Sequence, residues 1–225
     1  MREPKILKLD QGYTFARYAE LPYERDDILK DLGCSIATQA LSLPTYGGEL
    51  NLQDLSDRLT AAFQFTTISS EQARREFLIA PLLTEVCQHT QQKVRVEYPL
   101  TVSNWLKGSF DYYFQANNFL VIKAISAEGW VDSWRFVGPP RCGGPTKPNH
   151  LSGFTQLGAE LLALDQWTES EVPVLYGAVS TGQIWQFGVL HRQEKHLVED
   201  PTLYRVPQEL EVLTRILIGI VSGPV

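Results

Sequence analysis

The sequence has little of what disulfide frameworks and cysteine–histidine metal sites are built from. Its 225 residues include three cysteines, Cys34, Cys87 and Cys142, which are odd in number, far apart and without a Cys-x-x-Cys pair. Its four histidines show no metal-ligand spacing. These absences argue against a disulfide framework, and we expect the cysteines to be reduced structural thiols.

Long apolar runs and positive charge are also scarce. No stretch approaches the roughly 18 to 20 apolar residues that a membrane-spanning helix requires, and the opening MREPKILKLD lacks the apolar core of a secretory signal. We therefore expect a cytoplasmic protein without a membrane partner. Because 26 acidic residues outnumber 20 basic ones, giving a net charge of −6, no global positive field attracts nucleic acid, and such a contact needs a local basic patch.

The composition that is present is that of a globular protein. Hydrophobic residues make up 44% of the chain and charged residues 20%, so a sizeable core can be buried. Residues 1–65 mix short apolar stretches with charged turns and end in one amphipathic helix, and we interpret them as an N-terminal extension. Residues 66–225 are expected to form the main domain and to end in a helix.

Hydrophobic periodicity predicts the order of helices and strands. One helix is expected at about 51–65 and a second at about 69–88, where Ser69 and Gln72 match a capping box and Pro81 predicts a kink. The later predictions are a strand in KVRVEYPLTV, a hairpin turning at Asn117 and Asn118, a helix in FTQLGAELLALDQW, a hairpin at Thr181-Gly182, and a helix from Pro207 with Leu210, Leu213, Leu217 and Ile220 on one face. This order predicts an α/β fold.

Residues 129–153 are rich in glycine and proline, and we expect a long irregular connection there. The segment is the one locally basic loop, and aromatic and arginine side chains are enriched at interface hot spots. It is therefore a candidate partner-binding surface, and the alternative is that its tryptophans only anchor a long loop. The candidate residues are Trp130, Trp134, Arg135, Arg141 and Lys147.

The segment NFLVIKAISAE has the pattern of a buried strand with a lysine, Lys123, in its middle. Because side chains alternate along a strand, Val121, Lys123 and Ile125 are expected on one face, with the intervening residues on the other. A charge on a buried strand needs a physical reason.

Several short motifs occur in one order between residues 69 and 190. They are a helix with a glutamate, an arginine four residues later and Pro-Leu-Leu, a strand with a glutamate, a Gly-x-x-Asp-Tyr strand, a buried strand, a helix with a glutamine, and a Thr-Gly hairpin with Trp and Phe. The matching positions are Glu71, Arg75, Pro81, Leu82, Leu83, Glu97, Gly108, Asp111, Tyr112, Gln156 and the segment STGQIWQF. This order resembles the nuclease domain in the motor subunit of type I restriction enzymes and related stand-alone domains of the restriction-endonuclease-like superfamily.

The resemblance implies a restriction-endonuclease-like core, an α/β fold with a mixed central sheet flanked by helices. In active members, the aspartate and the glutamate of a Glu-x-Lys motif hold Mg²⁺ or Mn²⁺, and the lysine stabilises the transition state. Here Lys123 stands at the position of that glutamate and Ile125 at the position of that lysine. We therefore expect no metal cofactor, and we hypothesise that Lys123 replaces the metal as the counter-charge of Asp111.

On this interpretation, the family-equivalent positions Asp111, Lys123, Glu97, Glu71 and Gln156 are not catalytic. Simpler explanations exist for two of them. Glu71 with Arg75 also fits a solvated pair four residues apart on a helix, and Gln156 also fits a hydrogen bond to a backbone group at the start of its helix.

The sequence therefore favours a non-catalytic protein that binds a protein or DNA partner through the cleft and the 129–153 segment. One alternative is a metal-dependent DNA endonuclease with a rearranged site, in which Glu71, Glu97 or Glu160 assists Asp111 and Lys107 or Lys147 supplies the ammonium. Another is a structural subunit whose apolar C-terminal helix docks onto a partner. The sequence has no Walker A loop, so it has no motor motif of its own.

Overall fold

The computed structural model describes residues 6–8, 10–125 and 149–223. Its centre is one seven-stranded mixed sheet in the order β1-β7-β6-β5-β4-β3-β2. The strands are β1 (Ser35–Thr38), β2 (Val94–Thr101), β3 (Lys107–Gln115), β4 (Phe119–Ala124), β5 (Val174–Ser180), β6 (Ile184–His191) and β7 (His196–Arg205).

Helices cover both faces of this sheet. They are α1 (Phe15–Glu20), α2 (Arg25–Asp31), α3 (Gln53–Phe65), α4 (Glu71–Arg74), α5 (Ala80–Thr90), α6 (Asn149–Trp167) and α7 (Leu210–Ser222), and a π-helical turn, Arg75–Ile79, joins α4 to α5. One buried apolar cluster contains residues of α1, α2 and α6, and the other contains residues of α3, α5 and α7. The predicted α/β class, with a mixed central sheet flanked by helices, is confirmed.

Strand β4 runs through the middle of the core and separates the two apolar clusters. Its partner β3 is antiparallel, as the predicted hairpin requires, whereas β5 is parallel to it, so the chain crosses over one face of the sheet between β4 and β5 through α6. Val121 and Ile125 pack in the cluster of α6, and Leu120 and Ile122 pack in the opposite cluster. The predicted alternation of faces along this strand is therefore confirmed.

Several described elements before residue 65 join the same sheet and its core. Strand β1 pairs in parallel with β7, starting from Ser35 opposite His196. Phe15 of α1 and Leu29 of α2 lie in the same buried cluster as α6. The division expected at residue 65 stays a prediction, and these contacts join residues on either side of it.

The region around Pro81 differs in detail from the expectation. The helix is capped by Ser70, whose hydroxyl accepts the Ala73 N–H at 3.1 Å, and not by Ser69. Proline has no N–H, so it leaves the carbonyl four residues before it without an α-helical partner. The π-helical turn Arg75–Ile79 ends two residues before Pro81, where a simple kink was expected.

Other boundaries also move. Helix α6 begins at Asn149, so residues 149–153 are helical and not part of an irregular connection. The residues Trp130, Trp134, Arg135, Arg141 and Lys147 lie outside the described residues. Helix α7 begins at Leu210, because residues 206–209 form a turn. Within the described ranges, no helix combines the length and apolarity needed to cross a bilayer.

Helix α7 is covered by its own chain. The expected face is buried, as Leu213 and Leu217 are 0% exposed, but Ile216 and Ile218 are buried as well. The segment before α3 is attached to this helix, because the Tyr46 N–H donates to the Arg215 carbonyl at 2.9 Å and Arg215 Nη1 donates to the Tyr46 carbonyl at 3.0 Å. The apolar face expected to dock onto a partner is therefore already used inside the fold.

Gly219 of α7 is predicted to be indispensable for this packing. A Cβ there would lie 2.6 Å from the backbone carbonyl of Pro44, so Gly219→Ala should lower the free energy of unfolding by about 2 kcal/mol despite the higher helix propensity of alanine. Gly47→Ala is the matched control, since its Cβ would meet nothing within 4 Å. Urea denaturation should separate the two variants, and equal stability would contradict this packing.

Candidate functional site

Asp111 and Lys123 face each other across the β3–β4 hairpin. The register pairs Tyr112 with Ile122, and one further step along it places Asp111 opposite Lys123. Lys123 Nζ donates to Asp111 Oδ2 at 2.7 Å, and the same oxygen accepts the backbone N–H of Ala124 at 2.8 Å. Both side chains are largely buried, with 13% and 10% of their surface exposed. The expected ion pair is confirmed.

Arg75 extends this pair towards solvent. Its Nη2 lies 2.5 Å from Glu97 Oε1, its Nη1 lies 3.9 Å from Asp111 Oδ1, and its guanidinium stands 5.3 Å from the centre of the Tyr112 ring. Arg75 therefore pairs with Glu97 of β2 and Asp111 of β3, and not with Glu71 as the simpler explanation proposed.

Glu97 reaches Arg75 through an irregular backbone. Its φ is 50°, in the left-handed region that residues other than glycine rarely adopt. The regular β2–β3 pairing is interrupted at this residue, between the pairs Val96–Tyr112 and Tyr98–Phe110. The ion pair between Glu97 and Arg75 therefore coincides with a local departure from regular strand geometry.

Glu160 of α6 approaches the Asp111–Lys123 pair from the face of the sheet that α6 covers. It is fully buried, its Oε1 accepts from Gln156 Nε2 at 2.9 Å, and its Oε2 has no hydrogen-bond partner in the part of the chain described. Burial raises the pKa of Glu160 to about 8, and the charge of Asp111 adds to this, while Lys123 and Gln156 act in the other direction. The carboxyl is therefore mostly protonated at neutral pH. Gln156 binds a side chain here, rather than only a backbone group.

Lys123 is surrounded by acidic groups. Burial acts to lower its pKa, but the charges of Asp111, Glu160 and Glu71, together with the hydrogen bond to Asp111, raise it above the ordinary value. Three elements besides its own strand supply these carboxyls. The ammonium is therefore firmly charged and stands where a cation is favoured.

These side chains form an alternating row that runs from solvent into the core. We name it the charge row, and it consists of Glu97, Arg75, Asp111, Lys123 and Glu160. The outermost side chain, that of Glu97, is 55% exposed, whereas Asp111 and Lys123 are largely buried and Glu160 is fully buried. Because each inner charge has an opposite neighbour, the row needs no external ion for neutrality.

A divalent metal does not fit the row in this state. Oδ2 of Asp111 already accepts two hydrogen bonds, and Glu97 is turned to Arg75. Across the described ranges, no group of three or more acidic, histidine or cysteine side chains is arranged to hold a metal ion. Lys107, one alternative source of an ammonium, has its Nζ against Gly12, and Lys147 lies outside the described residues.

Two buried charged residues, one in the site and one next to Arg75 in the chain, were missed by sequence reasoning. Glu160 was considered only as an assistant ligand, and its complete burial carried no sequence signal. Arg74 was not considered, yet it is 7% exposed, and its Nε and Nη1 have no hydrogen-bond partner in the described part of the chain. A Cβ added at Gly182 would lie 3.5 Å from the Cβ of Arg74, so Arg74 packs against the β5–β6 hairpin.

The outer end of the charge row opens into a pocket of about 630 Å³, which we name the acidic pocket. It is lined by Glu71, Gln72, Arg75, Glu76, Ala80, Val96 and Tyr112. Two of these residues are carboxylates, and the single cation among them, Arg75, is already paired with Glu97 and Asp111. The pocket therefore presents negative charge over an apolar floor.

Comparison with protein-family models gave no match, and comparison with curated proteins gave no significant match. The assignment to the restriction-endonuclease-like superfamily remains a prediction that rests on the residues named above.

Removing the ammonium alone is predicted to be costly. In Lys123→Met the Asp111 carboxylate stays buried without its closest counter-charge, so the free energy of unfolding should fall by about 3 kcal/mol. Adding Asp111→Asn should recover a large part of this loss, because the stranded charge is removed. Urea denaturation of the four proteins of this cycle measures the coupling, and strictly additive losses would show that the pair is not coupled.

Glu160 is predicted to make stability fall as pH rises. Its pKa is raised from 4.5 to about 8 on folding, so the folded protein retains a proton that the unfolded chain releases in this window, and stability declines between these pH values. Glu160→Gln cannot ionise, so its stability relative to the unaltered protein should increase across the window.

Chemical denaturation at a series of pH values measures this difference, with Glu169→Gln as the exposed control. A Glu160→Gln difference that does not change with pH would mean that Glu160 is ionised throughout.

Proposed function

We propose that this chain is a non-catalytic restriction-endonuclease-like protein of the cytoplasm that acts by binding a partner protein. The observation that carries the proposal is the contact between Lys123 Nζ and Asp111 Oδ2 inside the charge row. On the expected alignment with the family, this internal ammonium takes the position of the metal ion that active members hold.

The electrostatics of this arrangement oppose phosphodiester hydrolysis. Metal-dependent hydrolysis needs a cation that polarises the phosphate and lowers the pKa of an attacking water. A buried ammonium supplies charge but is not a Lewis acid that lowers the pKa of a bound water as a metal does, and it repels a divalent ion at the same carboxylate. Asp111 therefore has a structural role in this proposal, as the anion that compensates Lys123.

The acidic pocket favours a protein partner over nucleic acid. Phosphate groups bind where lysine and arginine can neutralise them, but Glu71 and Glu76 line this opening and Arg75 is already paired. The net charge of −6 acts in the same direction. The basic residues of the 129–153 segment lie outside the described residues and do not contribute to this argument.

A metal-dependent nuclease remains the second candidate because of one observation. Glu160 Oε2 is buried without a hydrogen-bond partner among the described residues, and its carboxyl lies near Asp111 and Lys123. If Lys123 moved away, Asp111 and Glu160 would be left as two adjacent carboxyls. This candidate requires that movement, whereas the non-catalytic proposal requires none.

Incubation with DNA tests the proposal. Pure protein is incubated with single-stranded and double-stranded DNA in the presence of Mg²⁺ or Mn²⁺, and we expect no cleavage above the level of Asp111→Ala. That variant is the matched control because it removes the one carboxylate on which any metal chemistry at this site depends. Metal-dependent cleavage that disappears in Asp111→Ala would refute the proposal and establish the nuclease.

A further inference from the structure

The acidic pocket lies beside an edge of the sheet. Strand β2 is the last strand in the sheet order, and its Val96, which lines the pocket, is 54% exposed. Phe77, which follows the pocket residue Glu76 in the π-helical turn, is 42% exposed. Exposed apolar side chains therefore accompany the carboxylates at this opening.

The free edge of β2 is poorly suited to backbone pairing with a strand of another protein. Pro99 has no N–H, and the backbone of Glu97 leaves the extended region with a φ of 50°. Both features prevent a continuous ladder with an added strand and so protect the edge from aggregation. Recognition at this place therefore depends on side chains that enter the acidic pocket.

The charges around the pocket are not balanced by its own residues. Arg75 lies 2.5 Å from Glu97 and 3.9 Å from Asp111, so its charge is shared with groups outside the pocket lining. Glu76 accepts only the neutral Gln72 amide, at 3.0 Å, among the described contacts of its side chain. The charge of Glu71 acts on Lys123 inside the fold, yet its side chain also lines the opening. The opening is therefore complementary to a cation.

Its floor is complementary to an alkyl chain. Ala80, Val96 and Tyr112 are the apolar members of the lining. Lysine and arginine bury a hydrocarbon stem on apolar surface and keep the charged end at polar groups. A volume of about 630 Å³ falls in the range of small ligand sites and accommodates such a side chain together with its neighbours.

We infer that the acidic pocket binds a basic segment of a partner protein, with a lysine or arginine inserted between Glu71 and Glu76 and its stem on Tyr112 and Val96. This inference deepens the proposed function and rests on it, because it names the chemistry of the partner. The carboxylates supply specificity for a cation, and the exposed apolar residues add contact area.

Fluorescence anisotropy with a short labelled peptide, in which lysine and arginine alternate with valine, tests the inference. We expect saturable binding that weakens as salt is added, and no binding of the peptide in which glutamate replaces the basic residues. The double variant Glu71→Gln/Glu76→Gln should weaken binding by about tenfold or more, because two carboxylates at the site are lost.

The control is Glu169→Gln/Glu171→Gln, which makes the same change of net charge at two exposed residues between α6 and β5. It should bind the peptide like the unaltered protein. Val96→Lys is a second test that leaves the charge row untouched, and it should abolish binding by placing a cation at the pocket wall. Equal binding by all variants, or no binding by the unaltered protein, would overturn the inference.

Labelled double-stranded DNA of similar size forms a further arm. Binding of DNA that is lost in Val96→Glu would overturn the inference in favour of a nucleic-acid site. A failure of peptide binding without DNA cleavage would reject the basic segment and leave the non-catalytic proposal standing, whereas cleavage would reject the proposed function itself.

Discussion

The pairing of Lys123 with Asp111 is the constraint on which the site depends. The hairpin register places an ammonium and a carboxylate opposite each other on two buried strands, and burial of either charge alone would cost several kcal/mol. Once these two are paired, any other ionisable group nearby must be in its neutral form or paired with a further residue. Glu160 is mostly protonated, with a pKa raised to about 8, and Arg75 is paired with Glu97. The order of the charge row follows from this requirement.

The same constraint joins the interior to the surface. Arg75 pairs with Glu97 and Asp111 at the outer end of the row, so among the described residues that line the acidic pocket no unpaired cation remains for Glu71 and Glu76. The charge row is therefore balanced in the interior, whereas the acidic pocket at its outer end carries negative charge. The proposed inactivity towards DNA and the proposed affinity for a basic protein segment are consequences of one arrangement of charges.

Sequence reasoning succeeded where local pattern determines structure. Alternation along NFLVIKAIS predicted the faces of β4, and the position of Asp111 in the preceding strand predicted its pairing with Lys123. Sequence reasoning did not predict α1, α2 or β1, because each has only 4 to 7 residues. It also did not predict β7, which pairs with β1 through residues about 160 positions apart in the sequence. Ser69, with Gln72 three residues later, fits the capping-box pattern, and only the helix geometry shows that Ser70 is the cap. The burial of Glu160 and Arg74 depends on how distant elements pack, which no short motif encodes.

Titration with Mn²⁺, followed by electron paramagnetic resonance, tests the central claim that the ammonium of Lys123 holds the position of a cation. The unaltered protein should bind no Mn²⁺ at the charge row. Lys123→Glu should bind it, since the substitution removes the ammonium and adds a carboxylate beside Asp111, Glu160 and Glu71. Mn²⁺ bound by the unaltered protein at a site that is lost in Asp111→Asn would contradict the account.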